Sequence, residues 1–183
     1  MTSMAVLVVD MLNDFVKGAL KCERAVKIIP NIRKLLEKAH EKKIPCIYVN
    51  DAHLPDIDKE FDVWGPHAVV GTEGAQVVEE LKPKISDYIV SKRRYSGFYQ
   101  TDLELLLREL KIDTLILTGI HTHICVQHTA YDGYLLGYKI IVPEDCVEAS
   151  TEEEHKQGLN YMRIFYKATI TNLEEVLSLI EKS

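Results

Sequence analysis

The chain has 183 residues, of which 46% are hydrophobic and 27% are charged, a composition typical of one globular domain and not of a disordered chain. Its formal net charge of −6 argues against a general nucleic-acid-binding protein, because contact with the phosphate backbone needs a basic surface. No apolar run approaches the ~20 residues that a membrane-spanning helix requires, so a membrane protein is not expected.

Six apolar, β-branched runs alternate with segments of helical periodicity along the chain. The runs are predicted as strands over residues 5–9, 44–49, 88–90, 113–118, 138–142 and 168–170. Helices are predicted over 28–39, over 75–81, from near 125 to 137, and after Thr-x-x-Glu capping boxes at 101–104, 151–154 and 171–174. This alternation predicts an α/β three-layer sandwich with a six-stranded, mainly parallel sheet and helices on both faces. Residues 1–183 are expected to form one domain.

The cysteine pattern predicts reduced thiols and a cytoplasmic protein. The four cysteines are scattered, without a C-x-x-C pair, and a core of this size does not need disulfide bonds. The first residues lead directly into a predicted strand, and they lack the charged and then apolar pattern of a signal peptide.

Cys125 is the main candidate nucleophile, within the stretch Thr118 to Tyr138. It lies where a predicted strand has ended and a predicted helix begins. The free N–H groups and partial positive charge of a helix N-terminus favour a thiolate and can hold a developing oxyanion. A free cysteine is more often a small buried hydrophobic residue, so this stretch alone leaves both interpretations open.

Polar residues follow the ends of four predicted strands. Asp10 follows the first, Asp51 and His53 follow the second, Lys92 ends the third, and Cys125 comes after the fourth. Because the carboxyl ends of parallel strands meet at one edge of a sheet, we expect these side chains to lie close together. A carboxylate, an ammonium group and a thiol can serve as base, electrostatic support and nucleophile, although each residue alone also has a structural explanation.

Four ordered segments resemble the isochorismatase-like cysteine hydrolases, a family that includes nicotinamidases and N-carbamoylsarcosine amidases. The segments are VVDMLNDF (8–15), WGPHAVVGTEGA (64–75), KRRYSGFYQTDL (92–103) and TGIHTHICVQHTA (118–130). The resemblance implies a catalytic triad of Asp10, Lys92 and Cys125. It also implies a cis peptide bond before His121, with the backbone N–H groups of His121 and Cys125 forming an oxyanion hole.

The resemblance implies a chemistry as well as a site. Members that act on isochorismate lack a cysteine at the position of Cys125, so its presence favours hydrolysis of a small amide or ureide C–N bond through a thioester, with release of ammonia. Asp10 would accept the thiol proton, and Lys92 would hold Cys125 at a low pKa. The resemblance further implies a homo-oligomer with a small-molecule substrate. A non-catalytic binding or scaffold member of the same fold is the alternative.

A metal site is predicted beside the thiol. Asp51 and His53 are two residues apart after a strand and face the same way, and His67 lies at the far side of a long connection over 54–72. A carboxylate and two imidazoles suit zinc or another divalent transition metal. Nicotinamidases have a similar Asp-x-His and a later W-P-x-H, and Gly65 alters that second motif here.

Aromatic and imidazole side chains near these segments bear on the substrate. Phe15, Trp64 and Tyr95 are expected to line a small substrate pocket. His121 and His123 are bulky, polar residues close to the nucleophile. Leu12, Gly65 and Ala68 depart from the nicotinamidase pattern, so nicotinamide cannot be assumed as the substrate, and nicotinamidase-like and N-carbamoylsarcosine amidase-like activities both remain open.

Overall fold

A computed structural model describes residues 3–182, so the predicted domain limits at residues 1 and 183 and the first two residues of the N-terminal pattern lie outside the described part. The strands in the described part are β1 Met4–Val9, β2 Cys46–Asp51, β3 Tyr88–Lys92, β4 Thr114–Ile120, β5 Lys139–Pro143, β6 Val147–Glu148 and β7 Thr169–Thr171. They pair in parallel in the order β3-β2-β1-β4-β5-β7, and the two-residue β6 pairs with β4. The predicted α/β class is confirmed. The sheet has seven strands in the described residues instead of the predicted six, because β6 was not predicted.

Helices cover both faces of this sheet. They are α1 Asn13–Val16, α2 Ile29–Glu41, α3 Phe61–Trp64, α4 Leu103–Glu109, α5 Gln127–Leu135, α6 Glu152–Phe165 and α7 Leu173–Glu181. Along β1, Val6 and Val8 pack with α2 and α7, whereas Leu7 and Val9 pack with α4, α5 and α6. The continuous apolar sequence of β1 follows from this two-sided burial. None of the described helices is long and apolar enough to cross a membrane.

The helix predicted over 75–81 is wrong. The chain forms two 3₁₀ turns there, Glu73–Ala75 and Glu79–Leu81. Between them, Val77 pairs with Leu12 in an antiparallel bridge, and Val78 N–H donates to the Met11 carbonyl at 3.0 Å. These bonds to the loop after β1 replace the hydrogen bonds that a helix would have made within the segment.

Of the three predicted capping boxes, only the one at 151–154 forms. The Thr151 hydroxyl accepts from Glu154 N–H at 3.2 Å, and the Glu154 carboxylate accepts from Thr151 N–H at 2.9 Å. At 101–104, the Thr101 hydroxyl instead donates to the Gly97 carbonyl and accepts from the N–H of Leu103 at 3.2 Å, and the Asp102 side chain makes no capping bond. The last helix is capped one residue later than predicted, by Asn172.

Gly119, near the end of β4, lies directly against the backbone of Val9 in β1. Its φ is +101°, and an added Cβ would lie 2.0 Å from the Val9 carbonyl oxygen. We expect Gly119→Ala to destabilise the fold by at least ~3 kcal/mol, through backbone strain and overpacking together. Gly137 is the control, because its φ is +88° but its added Cβ would meet nothing within 4 Å, so Gly137→Ala should cost only ~1–2 kcal/mol. Urea unfolding of both variants measures the difference, and equal costs would contradict this account.

Candidate active site

The four strand-end residues meet at one edge of the sheet. Asp10 directly follows β1, and Asp51 and Lys92 are the last residues of β2 and β3. Cys125 follows β4 within a π-helical turn, Thr122–Val126, that leads into α5. All four side chains are buried. The predicted convergence therefore places a base, an ammonium group and a thiol together.

Lys92 lies at the centre of this group. The β2–β3 register places Lys92 opposite Asp51. Lys92 Nζ is 2.6 Å from Asp51 Oδ1 and 2.7 Å from Asp10 Oδ2, and it donates to Cys125 Sγ at 3.6 Å. Burial alone would lower the pKa of Lys92, but the charges of Asp10 and Asp51 raise this pKa well above its usual value. Lys92 is therefore a permanent cation held beside the thiol.

Asp10 has the properties of a general base. Its φ is +53°, and its Oδ1 accepts a hydrogen bond from Asp51 N–H at 2.7 Å. Burial and the charge of Asp51 raise the pKa of Asp10 to about 6, against the opposing effect of Lys92. A carboxyl group with a pKa near neutrality can both accept and return a proton.

The expected low pKa of Cys125 is wrong. Burial raises the pKa of this thiol well above its usual value, and the charges of Asp10 and Asp51 add to the increase. Lys92 lowers the pKa but does not outweigh the other effects. The raised pKa favours the protonated thiol in the resting protein.

Helix α6 packs against the turn that carries Cys125. The Ile120–His121 peptide bond is cis, as the resemblance implies. Thr122 is fully buried, and its hydroxyl is 2.9 Å from Nδ1 of His155 on α6. A Cβ at Gly158 would lie 3.0 Å from the backbone of His123, so α6 needs glycine there to approach this closely.

The predicted metal ligands converge, and the structure adds a fourth. Asp51, His53, Glu60 and His67 are all buried, and each offers one ligand atom such that these atoms lie within 4.8 Å of one another. Glu60 precedes α3 in the long connection. Acidic residues stand at every second position from 56 to 62, so no sequence signal distinguished Glu60 from its acidic neighbours.

The hydrogen bonds around this group fit a divalent cation. His67 Nδ1 donates to the Gly65 carbonyl at 2.7 Å, which leaves Nε2 as its free ligand atom. His53 Nε2 is 3.6 Å from Asp51 Oδ2 and 3.8 Å from Glu60 Oε2, distances too long for hydrogen bonds. Nε2 of His53 and Oε1 of Glu60 are buried without a hydrogen-bond partner, whereas Nδ1 of His53 faces Asp58 Oδ2 at 3.3 Å. A cation among these atoms would satisfy them, and two imidazoles with two carboxylates suit zinc.

A cavity of about 370 Å³ lies over the thiol and the candidate metal ligands. The structure places the predicted pocket residues Phe15, Trp64 and Tyr95 in its wall. Trp64 Nε1 donates to the Tyr95 hydroxyl at 3.0 Å, which fixes two aromatic rings side by side. The cavity therefore offers flat apolar walls with Cys125 exposed to its interior.

The chain is similar to known proteins over most of its length. Residues 4–175 match the family model described as Isochorismatase domain. The solved N-carbamoylsarcosine amidase of Thermoplasma acidophilum is 40% identical, with a TM-score of 0.88 over 95% of this chain and 98% of that one. The nicotinamidase of Bacillus subtilis is 33% identical, with a TM-score of 0.89 over 93% of this chain and 100% of its own. A pyrazinamidase of Pyrococcus horikoshii, solved in complex with zinc, is 29% identical, with a TM-score of 0.87 over 93% and 99% of the two chains.

Proposed function

The chain belongs to the isochorismatase family, and on that premise we propose that it is a cysteine-dependent amidohydrolase that cleaves the C–N bond of a small linear amide or ureide and releases ammonia. The observation that carries the proposal is the contact of Lys92 with Asp10, Asp51 and Cys125 beneath one cavity. An intact base, cation and thiol in this geometry favour catalysis over the alternative of a non-catalytic binding or scaffold protein.

Acylation begins with a thiol that is still protonated. Cys125 Sγ attacks the substrate carbonyl carbon while its proton passes to Asp10, and Lys92 stabilises the negative charge that develops on sulfur. The backbone N–H groups of His121 and Cys125 hold the oxyanion of the tetrahedral intermediate. The C–N bond then breaks, and Asp10 returns the proton to the leaving nitrogen, so that ammonia departs and a thioester remains.

Deacylation uses the same carboxyl group a second time. A water molecule attacks the thioester carbonyl as Asp10 accepts its proton. The C–S bond breaks, the sulfur recovers a proton from Asp10, and the acid is released. The pKa of about 6 at Asp10 suits both directions of transfer near neutral pH.

The proposal includes a metal ion whose role is to bind the substrate. Asp51, His53, Glu60 and His67 would hold zinc or a similar divalent cation at the wall of the cavity. The ion would supply a coordination position for a donor atom of the substrate beside the scissile bond. Asp51 also contacts Lys92, so it links the metal site to the thiol site.

We expect His67→Ala to lower the affinity for Zn²⁺ at least ~100-fold, since even partners of metal ligands commonly contribute 10–100-fold. His128→Ala is the matched control, because His128 is exposed and its Nδ1 contacts the Ile124 carbonyl instead of the metal group. Calorimetric titration with Zn²⁺ and elemental analysis measure the change. Wild-type protein that binds no divalent metal, or equal affinity for Zn²⁺ in both variants, would contradict the proposed metal site.

Two further expectations remain proposals. The family resemblance implies a homo-oligomer, which light scattering at micromolar concentration tests directly. A cytoplasmic location is consistent with the four cysteines, all of which are free thiols in the structure.

A further inference from the structure

The mouth of the cavity has an uneven distribution of charge. His121, His123 in the π-helical turn that carries Cys125, and Glu154 of α6 line it. Lys21, in the segment after α1, also lines the cavity. No arginine of residues 3–182 lines the cavity. Asp51 and Glu60 also line the cavity, but both belong to the candidate metal group, so Glu154 is the cavity-lining carboxylate outside that group.

Glu154 is held in place by its role as a helix cap. Its Oε2 accepts hydrogen bonds from the N–H and the hydroxyl of Thr151, both at 2.9 Å. The bonds from Thr151 lower the pKa of Glu154, so the side chain is ionised at neutral pH. Its Oε1 lies 3.9 Å from Nε2 of His123. One oxygen thus anchors the carboxylate while the other faces the imidazole at the mouth.

The two imidazoles do not neutralise this carboxylate. Burial lowers the pKa of His121 to about 4, and burial also lowers the pKa of His123 below its ordinary value. Both rings are therefore uncharged at neutral pH and can only donate or accept hydrogen bonds.

Lys21 compensates Glu154 only weakly. Its side chain is 52% exposed, and its ammonium group is 3.3 Å from Glu23 Oε1. Solvent and Glu23 both reduce the field of Lys21 inside the cavity. Apart from the cation that the candidate metal group would hold, Lys21 is the one cationic side chain of residues 3–182 that lines the cavity, so a carboxylate held beside Glu154 would meet an anchored negative charge with little compensation nearby.

We propose that Glu154, together with the imidazoles of His121 and His123, is a charge filter that disfavours carboxylate-bearing substrates and selects uncharged amides or ureides with a hydrogen-bonding group at the end away from the scissile bond. This inference rests on the proposed amidohydrolase function and narrows its substrate class. It makes N-carbamoyl amino acids poor substrates compared with neutral ureides of the same size.

The test compares N-carbamoylglycine with its methyl ester, which differ in one negative charge but share the same ureide. Ammonia release gives kcat/KM for each, and benzamide serves as an additional neutral amide. Glu154→Gln removes the charge and keeps a side chain that can complete a capping box. Glu153→Gln is the matched control, because Glu153 is one residue away and accepts from Gln157 Nε2 at 3.0 Å, outside the cavity wall.

Wild-type enzyme should prefer the ester, and Glu154→Gln should reduce that preference about threefold to tenfold, with a smaller difference at high salt. Glu153→Gln should leave the preference unchanged, and melting curves confirm that both variants remain folded. A wild-type preference for the acid, or equal ratios in wild type and Glu154→Gln, would overturn the filter and leave the amidohydrolase proposal standing. Absence of ammonia from all three compounds and from a wider panel of small amides would refute the proposed function, and the filter with it.

Discussion

Cys125→Ala is expected to abolish ammonia release from every substrate of the wild-type enzyme, with a fall in kcat of at least ~10⁴-fold. The substitution removes the sulfur that forms the thioester, and Lys92 and Asp10 cannot supply another nucleophile at that position. The fold should remain, because Cys125 Sγ lies in the wall of the cavity and its loss leaves no large buried void.

Cys46→Ala is the matched control for this experiment. Cys46 is also a buried free thiol, but it begins β2 and its sulfur contacts the Ile44 carbonyl. That variant should keep wild-type kcat. Circular dichroism and thermal unfolding show whether both variants are folded. Activity of Cys125→Ala within about tenfold of wild type would exclude covalent catalysis by this residue.

Lys92→Met is expected to have the largest effect on stability among the site variants. Lys92 is fully buried between Asp10 and Asp51, so its removal leaves two buried carboxylates without their shared cation. Removing one partner of a buried ion pair commonly costs ~3–5 kcal/mol. Urea unfolding in the absence of added metal measures this cost.

Arg93→Met provides the control for the Lys92 variant. Arg93 is the next residue along the chain, and it pairs with Asp58 at 2.8 Å, but Arg94 holds the same carboxylate at 2.9 Å. Its replacement should cost no more than ~1 kcal/mol, as for other partly exposed ion pairs. Equal unfolding free energies for the two variants would show that Lys92 does not stabilise the site more than Arg93 stabilises its own ion pair.

The Lys92 variant also changes the reactivity of the thiol. Lys92 lowers the pKa of Cys125, whereas burial, Asp10 and Asp51 raise it. Lys92→Met should therefore raise this pKa further and slow alkylation by iodoacetamide at neutral pH. The rate should recover partly at higher pH, because hydroxide then produces the thiolate. Identical pH profiles for the variant and wild type would mean that Lys92 has no influence on the sulfur.

Much of the fold was predictable because the local patterns and the tertiary contacts agree. The apolar run of β1 is continuous since helices cover both faces of the sheet, and strand–helix alternation determines parallel pairing. The exception at 75–81 shows the limit. Helical spacing there carries no information about the bridge from Val77 to Leu12, which replaces the helix.

The site was predictable where strand ends position its residues. Asp10, Asp51, Lys92 and Cys125 lie at or just after the ends of neighbouring parallel strands, so topology alone brings them together. Glu60 was not predictable, because a long irregular connection carries it into the metal group. The raised pKa of Cys125 was also not predictable, because its burial and its proximity to Asp10 and Asp51 arise only when the chain folds.

The role of Glu154 shows a third limit. The Thr-x-x-Glu pattern predicts its function as a cap, and the structure confirms that function. The same carboxylate also faces His123 at the cavity mouth, which depends on how α6 packs against the π-helical turn Thr122–Val126. A residue that satisfies one local rule can therefore have a second role that only packing reveals.

The most direct test of covalent catalysis is acid quenching of the wild-type enzyme during its first turnover with a good amide substrate, followed by mass spectrometry of its peptides. The account predicts an acyl group on the peptide that contains Cys125, formed together with the first equivalent of ammonia and lost as the acid appears. An acyl group on another residue, or ammonia release across the first turnover with the Cys125 peptide unmodified at every quench time, would contradict it.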